Sequence, residues 1–395
     1  MNVDQVVIFV GGKGSRLGKI TKKVPKPLIK INNKKFLDRL ISGFVRFGFK
    51  KIILLTSYKS KNFINSYHNQ IIRNTKIKCI DEGKAKGTGG SLINSLHKLD
   101  DFFLLCNGDT FININFFDFI IKAKKNKTFN IITTKKGSQK RFSHLKTKKN
   151  LITNFNSSSG KFINTGYYLV NKKRLLKKKI PKVNCSLEND ILTKLAKNGE
   201  CAFVNYTVNF LDIGIKKDLK IAHSFLEKND CRKAVLLDRD GVINYDYGYV
   251  HKASKFKIKP KVAEFIKLLN DNNFLVFVVT NQSGIGRGYY DEKDVLKLHD
   301  QFNKKLKKKG GHIDEFFIAP HYKNSKFKKY QKGSSFRKPN TGMFKVIKKK
   351  YSIKLNNSYM IGDQLSDKTF AKNCKLKYFD INKFKNILSV RKFLI

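Results

Sequence analysis

Cysteine, proline and acidic side chains are all scarce in this 395-residue chain. The six cysteines, Cys79, Cys106, Cys185, Cys201, Cys231 and Cys374, are scattered, and none forms Cys-x-x-Cys. Neither a disulfide framework nor a cysteine zinc site is indicated, so the thiols read as reduced groups in a cytoplasmic protein. Only six prolines are present, and no long Gly/Ser or Pro tract marks a flexible linker. No apolar run is long enough to span a bilayer, and no charged start followed by such a run marks a leader, so no membrane partner is expected. Acids number 29 against 83 lysines and arginines, a net charge of +54. Taken alone, that excess suggests nucleic acid or an anionic surface as a partner. The lysines are spread through the whole chain without a basic tail, however, and no aromatic-plus-basic motif stands out. The expected partners are therefore small phosphorylated molecules, with no nucleic acid.

What is present is a repeated alternation of apolar strand-like runs with helical stretches. That pattern predicts an α/β fold in two domains, each a mostly parallel sheet flanked by helices. The length suits two domains. The boundary is expected between Ile221 and Lys233, giving domains at 1–228 and 233–395.

In the second half, Ala234-Val235-Leu236-Leu237 runs into Asp238-Arg239-Asp240-Gly241. Residues i and i+2 of a strand share a face, so Asp238 and Asp240 are expected to meet at one site. Ligands of open α/β sheets bind at that carboxyl end. Two neighbouring carboxylates call for a cation or a shared proton, and one can act as nucleophile while the other moves protons. A second run, Phe274 to Val279, ends in Thr280-Asn281-Gln282-Ser283-Gly284. Arg337-Lys338-Pro339 precedes a helical stretch, Thr341 to Lys350. A third run, Tyr359-Met360-Ile361, ends in Gly362-Asp363-Gln364-Leu365-Ser366-Asp367. Carboxylates with hard oxygen ligands at strand ends favour Mg²⁺.

This order resembles the haloacid dehalogenase superfamily of phosphatases, and within it the heptose 1,7-bisphosphate 7-phosphatases and the related histidinol phosphatases. The resemblance covers roughly residues 233–380. It implies that Asp238 is the nucleophile and Asp240 the general acid/base, with Thr280 and Lys338 holding the phosphoryl group. It further implies that Asp363, Asp238 and the Asp240 backbone carbonyl bind Mg²⁺, and that Asn281 and Arg337 contact phosphate or sugar. These phosphatases often carry a zinc loop, Cys-x-His and then Cys-x-Cys just before the Arg-Lys pair. Here those places read Ala319-Pro320-His321 and Ser334-Ser335-Phe336. A lone histidine cannot make a four-ligand site, so no zinc is expected and His321 reads as a loop histidine. Only 39 residues separate Asp240 from Thr280, too few for a large cap, so the site should be open.

In the first half, the strand-like Val6 to Val10 is followed by Gly11-Gly12-Lys13-Gly14-Ser15-Arg16-Leu17-Gly18. Glycines allow backbone N–H groups to approach phosphate. The spacing is one residue too long for a dinucleotide fingerprint, and the next strand, Lys51 to Thr56, lacks the ribose-binding acid at its end. Lys26 follows in Val24-Pro25-Lys26-Pro27-Leu28, Gly87-Thr88-Gly89-Gly90 opens a helix, and Asn107-Gly108-Asp109 ends another strand. Asp109 and Asp212 would make a reasonable Mg²⁺ pair.

This arrangement, over roughly residues 4–226, resembles the sugar-phosphate nucleotidyltransferases, in pattern the heptose 1-phosphate guanylyltransferases. It implies a Rossmann-like fold in which Gly11, Gly12, Gly14 and Arg16 bind the nucleotide and Lys26 neutralises its phosphates. Gly87, Thr88 and Gly89 would lie against base and sugar. Asn164, Gly166 and Glu188 would contact the sugar, and Asp109 and Asp212 would hold Mg²⁺. The family's Glu-Lys pair is missing. Its place reads Phe155-Asn156-Ser157-Ser158-Ser159-Gly160-Lys161, where Lys161 is a shifted substitute.

The two resemblances together imply consecutive steps in nucleotide-activated heptose synthesis, with GTP as the expected nucleotide. The alternatives are a histidinol-phosphate phosphatase fused to another sugar nucleotidyltransferase, and a basic nucleic-acid-binding protein. No motif sets the anomer or the oligomeric state.

Overall fold

The computed structural model describes residues 3–135, 144–155, 160–178, 180, 184–208, 210–331 and 335–395. Contacts divide the chain into two units. One comprises Met1–Ile114 and Lys122–Glu227, the other Asn115–Ile121 and Lys228–Ile395.

The first unit is built on a ten-stranded sheet. Its parallel part centres on the strand Gln5–Phe9, which pairs with Lys51–Thr56 on one side and Phe102–Asn107 on the other. These runs are apolar at nearly every position because both faces of the parallel sheet are covered. The other half is antiparallel to a degree that the expected mostly parallel sheet did not include. Phe162–Asn171 runs against both Phe102–Asn107 and Phe129–Lys135, and His144–Lys148 pairs back onto Leu151–Asn154. Short connections can join only antiparallel neighbours, and this half of the sheet contains a two-residue one.

A buried carboxylate ties the sheet together in this half. Glu200 accepts from Arg174 at 2.9 Å, Lys178 at 2.7 Å and Thr128 at 2.8 Å. Burial alone would raise its carboxyl, but those donors outweigh burial and hold it down at about 2. A depressed carboxylate contributes stability that is present above its unfolded value, about 4.3. That contribution is lost as pH falls toward 2. Glu200→Gln should therefore cost about 1–3 kcal/mol at neutral pH. It should also flatten the loss of stability between pH 4 and 2, read by denaturant melts across that range.

The second unit is a five-stranded, wholly parallel sheet. Its order is Glu315–Ala319, Leu275–Asn281, Ala234–Leu237, Tyr359–Gly362 and Lys377–Asp380. Ala234–Leu237 is the middle strand and is buried throughout. The second strand runs on to include Thr280 and Asn281, two residues past the apolar stretch. Between Asp240 and Thr280 the principal element is the helix Val262–Asp271, so no large cap intervenes. Asn115–Ile121 belongs to this unit. The Asn115 amide donates to Asp271 and to the Gly310 carbonyl, each at 2.7 Å, and Lys267 bridges Asp118 and Asp271. Among the described residues no helix is long and apolar enough to cross a membrane.

Candidate active sites

In the second unit, three adjacent parallel strands end side by side, and the chain places a functional group at the carboxyl end of each. Asp238 follows the middle strand, Thr280 and Asn281 close one neighbour, and Asp363 follows the other. Arg337 and Lys338 join them, and together they line an open cleft of about 320 Å³ with Asp240. The close approach depends on glycine. Gly241 has φ +83°, and a Cβ there would overlap the Asp363 carboxylate. A Cβ at Gly362 would overlap Asp367.

Lys338 sits at the base of the cleft, 3% exposed. Its ammonium pairs with Asp238 at 2.8 Å and with Asp367 at 2.6 Å. Burial alone would lower its pKa, but the two carboxylates outweigh that and raise it. Burial pushes the Asp238 carboxyl up to about 7, Lys338 pulls against that rise, and Asp367 adds to it. Asp363 is also raised, chiefly by burial.

Asp367 closes the segment that follows the third strand in the sequence, where it was assigned no role. It lies four residues after Asp363, at the third position of the helix Leu365–Asn373, where it accepts from the Asp363 and Gln364 backbone N–H groups. An acid in the first turn reads as an ordinary cap, which hid its pairing with Lys338. Asn281 also takes an unforeseen place. Its amide donates to the Lys338 carbonyl at 3.1 Å, and its side-chain oxygen accepts from the Lys338 N–H at 3.0 Å. It thus fixes the backbone of the lysine.

Asp238 and Asp240 share the cleft, but not through strand alternation, because the strand ends at Leu237. The Asp240 carboxylate is gripped by the buried Arg239 guanidinium at 2.7 Å, by Asn244 at 2.8 Å and by Gln282 at 2.9 Å. Gln282 also donates to Thr280 and accepts from the Tyr290 hydroxyl. Arg239, Asn244, Gln282 and Tyr290 therefore position the proposed acid/base. The glutamine and asparagine could have been suspected from their places beside Thr280 and Gly241.

The carboxylates of Asp238, Asp363 and Asp367 present oxygens within 4.8 Å of one another. One Asp363 oxygen is buried without a hydrogen-bond partner. An all-oxygen set with an unsatisfied carboxylate oxygen fits Mg²⁺. Zinc fits poorly at the neighbouring loop, because His321 is the only His, Cys, Asp or Glu between Ala319 and Arg337. Ser334 of that loop lies outside the described residues.

In the first unit, Asp212 pairs in register with Thr110, and the Ile213 N–H donates to the Asp109 carbonyl at 3.0 Å. This brings together two acids a hundred residues apart. Lys26 meets Asp109 at 2.7 Å. Glu188 is raised by burial, with Asp109 and Asp212 adding to the rise, so the three acids face a common region. Asn164 donates to Glu188 at 2.9 Å and to the Tyr168 hydroxyl at 2.8 Å. Gly166 lies hard against Asn107. Gly11 packs on Ser57, while Gly12 is open and Arg16 exposed. Gly87 and Gly89 pack on Cys185, and the Thr88 hydroxyl accepts from the Leu187 N–H. These contacts give that glycine helix a packing role. Two carboxylates beside a lysine suit a divalent ion accompanied by phosphate. Lys161 is exposed just before the strand Phe162–Asn171, and Asn156 to Ser159 lie outside the described residues.

Comparison with known proteins places a family on each unit. The Nucleotidyl transferase family matches residues 5–229, and the Polynucleotide kinase 3 phosphatase family matches residues 240–384. A D-glycero-alpha-D-manno-heptose-1,7-bisphosphate 7-phosphatase of Photorhabdus laumondii is 40% identical over 135 residues, 34% of this chain and 74% of the relative. A D-glycero-beta-D-manno-heptose-1,7-bisphosphate 7-phosphatase of Haemophilus ducreyi is 39% identical over 147 residues, 37% of this chain and 80% of the relative. Among solved structures, HddC from Yersinia pseudotuberculosis complexed with GMP-PN is similar with 28% identity and a TM-score of 0.51. That likeness covers 57% of this chain and all of HddC.

Proposed function

The chain belongs to the nucleotidyl transferase family in its first part and to the heptose bisphosphate 7-phosphatases in its second, and from that premise we propose that it carries out two consecutive steps of heptose activation. The second unit removes the 7-phosphate of D-glycero-D-manno-heptose 1,7-bisphosphate. The first joins the resulting 1-phosphate to GMP, drawn from GTP. One observation carries this reading. The cluster of Asp238, Asp363 and Asp367, two of them paired with Lys338, stands in the same chain as a nucleotidyl transferase unit. The guanine nucleotide in the similar HddC structure supports GTP.

In the phosphatase step an Asp238 oxygen attacks the 7-phosphorus. The bond from phosphorus to the sugar oxygen breaks, and Asp240 gives that oxygen a proton. Water then attacks the aspartyl-phosphate phosphorus, returns a proton to Asp240 and frees Asp238. Lys338 and Thr280 hold the phosphoryl oxygens. Asp238, Asp363 and the Asp240 carbonyl are the groups that would hold Mg²⁺, which would supply charge neutralisation when bound. In the transferase step a 1-phosphate oxygen attacks the nucleotide α-phosphorus in line, and pyrophosphate leaves. That step depends on positioning and charge neutralisation. Lys26, Arg16 and the glycine loop hold the nucleotide phosphates there, while Asn164 and Glu188 hold the sugar. Asp109 and Asp212 are the residues that would hold Mg²⁺ in this unit.

The test offers the purified protein Mg²⁺, each heptose bisphosphate anomer and single nucleoside triphosphates. Phosphate release followed by a nucleotide-sugar with GTP alone is expected. Faster phosphate release from histidinol phosphate, or from a 3′-phosphorylated oligonucleotide, would overturn the phosphatase assignment.

A further inference from the structure

The loop after the strand Glu315–Ala319 carries Arg337 into the cleft, yet it lacks the ligands for a metal staple. What holds it instead is visible in its packing. Tyr330 is buried against Ile285, Tyr290 and Val295. Its ring meets Phe327 edge-on at 6.1 Å and His321 at 6.2 Å. The Tyr322 N–H donates to the Tyr330 carbonyl at 3.0 Å, which closes the loop on itself. The buried Ser325 accepts from the Phe327 N–H, and the Gln331 amide reaches back to the Ser325 carbonyl. Gly286 binds the loop's start, its N–H donating to the Pro320 carbonyl at 3.1 Å. Gly342 binds its return through the Ser335 carbonyl at 2.8 Å.

The same loop organises a pair of guanidinium groups. Arg287 lies 3.6 Å above the Tyr322 ring, and its Nε is buried without a hydrogen-bond partner. Arg337, half-buried, directs its own guanidinium to the His321 carbonyl at 3.5 Å. Burial and the charge of Arg287 both disfavour the charged form of Arg337. Two like charges brought together in this way are stabilised by an anion, and a bisphosphate substrate brings a second one besides the group being hydrolysed.

We infer that Tyr322 and Tyr330 are positioning residues that replace a metal staple, fixing the loop so that Arg287 and Arg337 receive the second phosphate of the substrate. Tyr330 anchors the loop to the small core that also contains Tyr290. Tyr322 holds Arg287 through the contact of its ring with the guanidinium. The second-phosphate part rests on the bisphosphate reading above. The staple part does not.

The full-length protein is compared with Tyr322→Ala, Tyr322→Phe and Tyr330→Ser on heptose 1,7-bisphosphate and on p-nitrophenyl phosphate, which has no second anion. Loss of a desolvated ring–guanidinium contact should raise KM for the bisphosphate about tenfold in Tyr322→Ala, with kcat within about twofold. Its kcat/KM on p-nitrophenyl phosphate should be unchanged, and Tyr322→Phe, which keeps the ring, should match the wild type. Equal losses on both substrates, or an unchanged KM, would overturn the positioning role. Amide exchange across 320–331 supplies a readout that needs no substrate. EDTA should leave it unchanged in the wild type. Tyr330→Ser should speed it about tenfold while Ala234–Leu237 stays protected, as expected for local opening. One zinc per chain with chelator-accelerated exchange, or unchanged exchange in Tyr330→Ser, would overturn the staple. If the wild type ignores heptose bisphosphates but the exchange result holds, the substrate reading fails and the staple stands.

Discussion

Asp238→Asn abolishes phosphate release from a heptose bisphosphate, a loss of about four orders of magnitude or more, and leaves nucleotidyl transfer at its wild-type rate. The replacement keeps the shape of the side chain and removes its nucleophilic oxygen. It also removes one of the two carboxylates that pair with the buried Lys338, but Asp367 remains 2.6 Å away. The lysine therefore keeps a buried partner, and the variant should fold; an uncompensated buried charge would be far more damaging. Released inorganic phosphate reports one activity, and chromatography of the nucleotide-sugar from supplied heptose 1-phosphate reports the other. A folded variant that has lost both activities would contradict two independent sites. One that still releases phosphate at more than about a hundredth of the wild-type rate would displace Asp238 as nucleophile, because an amide cannot form the aspartyl-phosphate.

The phosphatase cleft was legible to the extent that its chemistry follows apolar runs directly. Asp238, Thr280 and Asp363 each sit at or just past the end of a buried apolar strand, and parallel strands bring their carboxyl ends to one edge. Pairings that depend on which strands are neighbours were hidden. The Lys338–Asp367 pair requires the strand Tyr359–Gly362 beside the middle strand, and nothing in either local segment states that order. Asn281 was expected to contact phosphate or sugar, and nothing local announced that its amide is matched to both backbone groups of Lys338. The segment Asn115–Ile121 was unreadable for a different reason. Its Phe116-Phe117 and Ile120-Ile121 are apolar on too many sides to declare which core they enter, and Asn115 and Asp118 find their partners at Asp271, Gly310 and Lys267. In the first unit, the antiparallel half mixes lysine, threonine and asparagine into its strands, so alternation there is weak. The glycine motifs were easier to find than to interpret, since a glycine that admits Cys185 and one that admits a phosphate look alike in sequence.

Asp109→Asn lowers guanylyl transfer by about 10²–10³-fold and leaves phosphate release unchanged, an effect of the size seen when one electrostatic group of a charge-stabilising site is lost. The argument rests on what surrounds this carboxylate. Its oxygen meets Lys26 at 2.7 Å, its backbone is pinned to the strand bearing Asp212, and Glu188 is raised first by burial and then by the charges of both acids. Removing the charge halves the acidic pair proposed to hold Mg²⁺ and frees Lys26 from its partner, so metal and nucleotide phosphates lose their common reference point. The amide preserves volume, so the loss should appear with an intact fold and an unshifted melting temperature. Titrating Mg²⁺ separates the causes. A variant rescued toward wild-type kcat by excess Mg²⁺ has lost metal affinity, as the pair predicts. One that is inactive at every Mg²⁺ concentration, with KM for GTP unchanged, has lost the alignment of the attacking phosphate instead. Wild-type transfer in Asp109→Asn at all concentrations would remove Asp109 from the site and leave Asp212 and Glu188 to be tested as the metal pair.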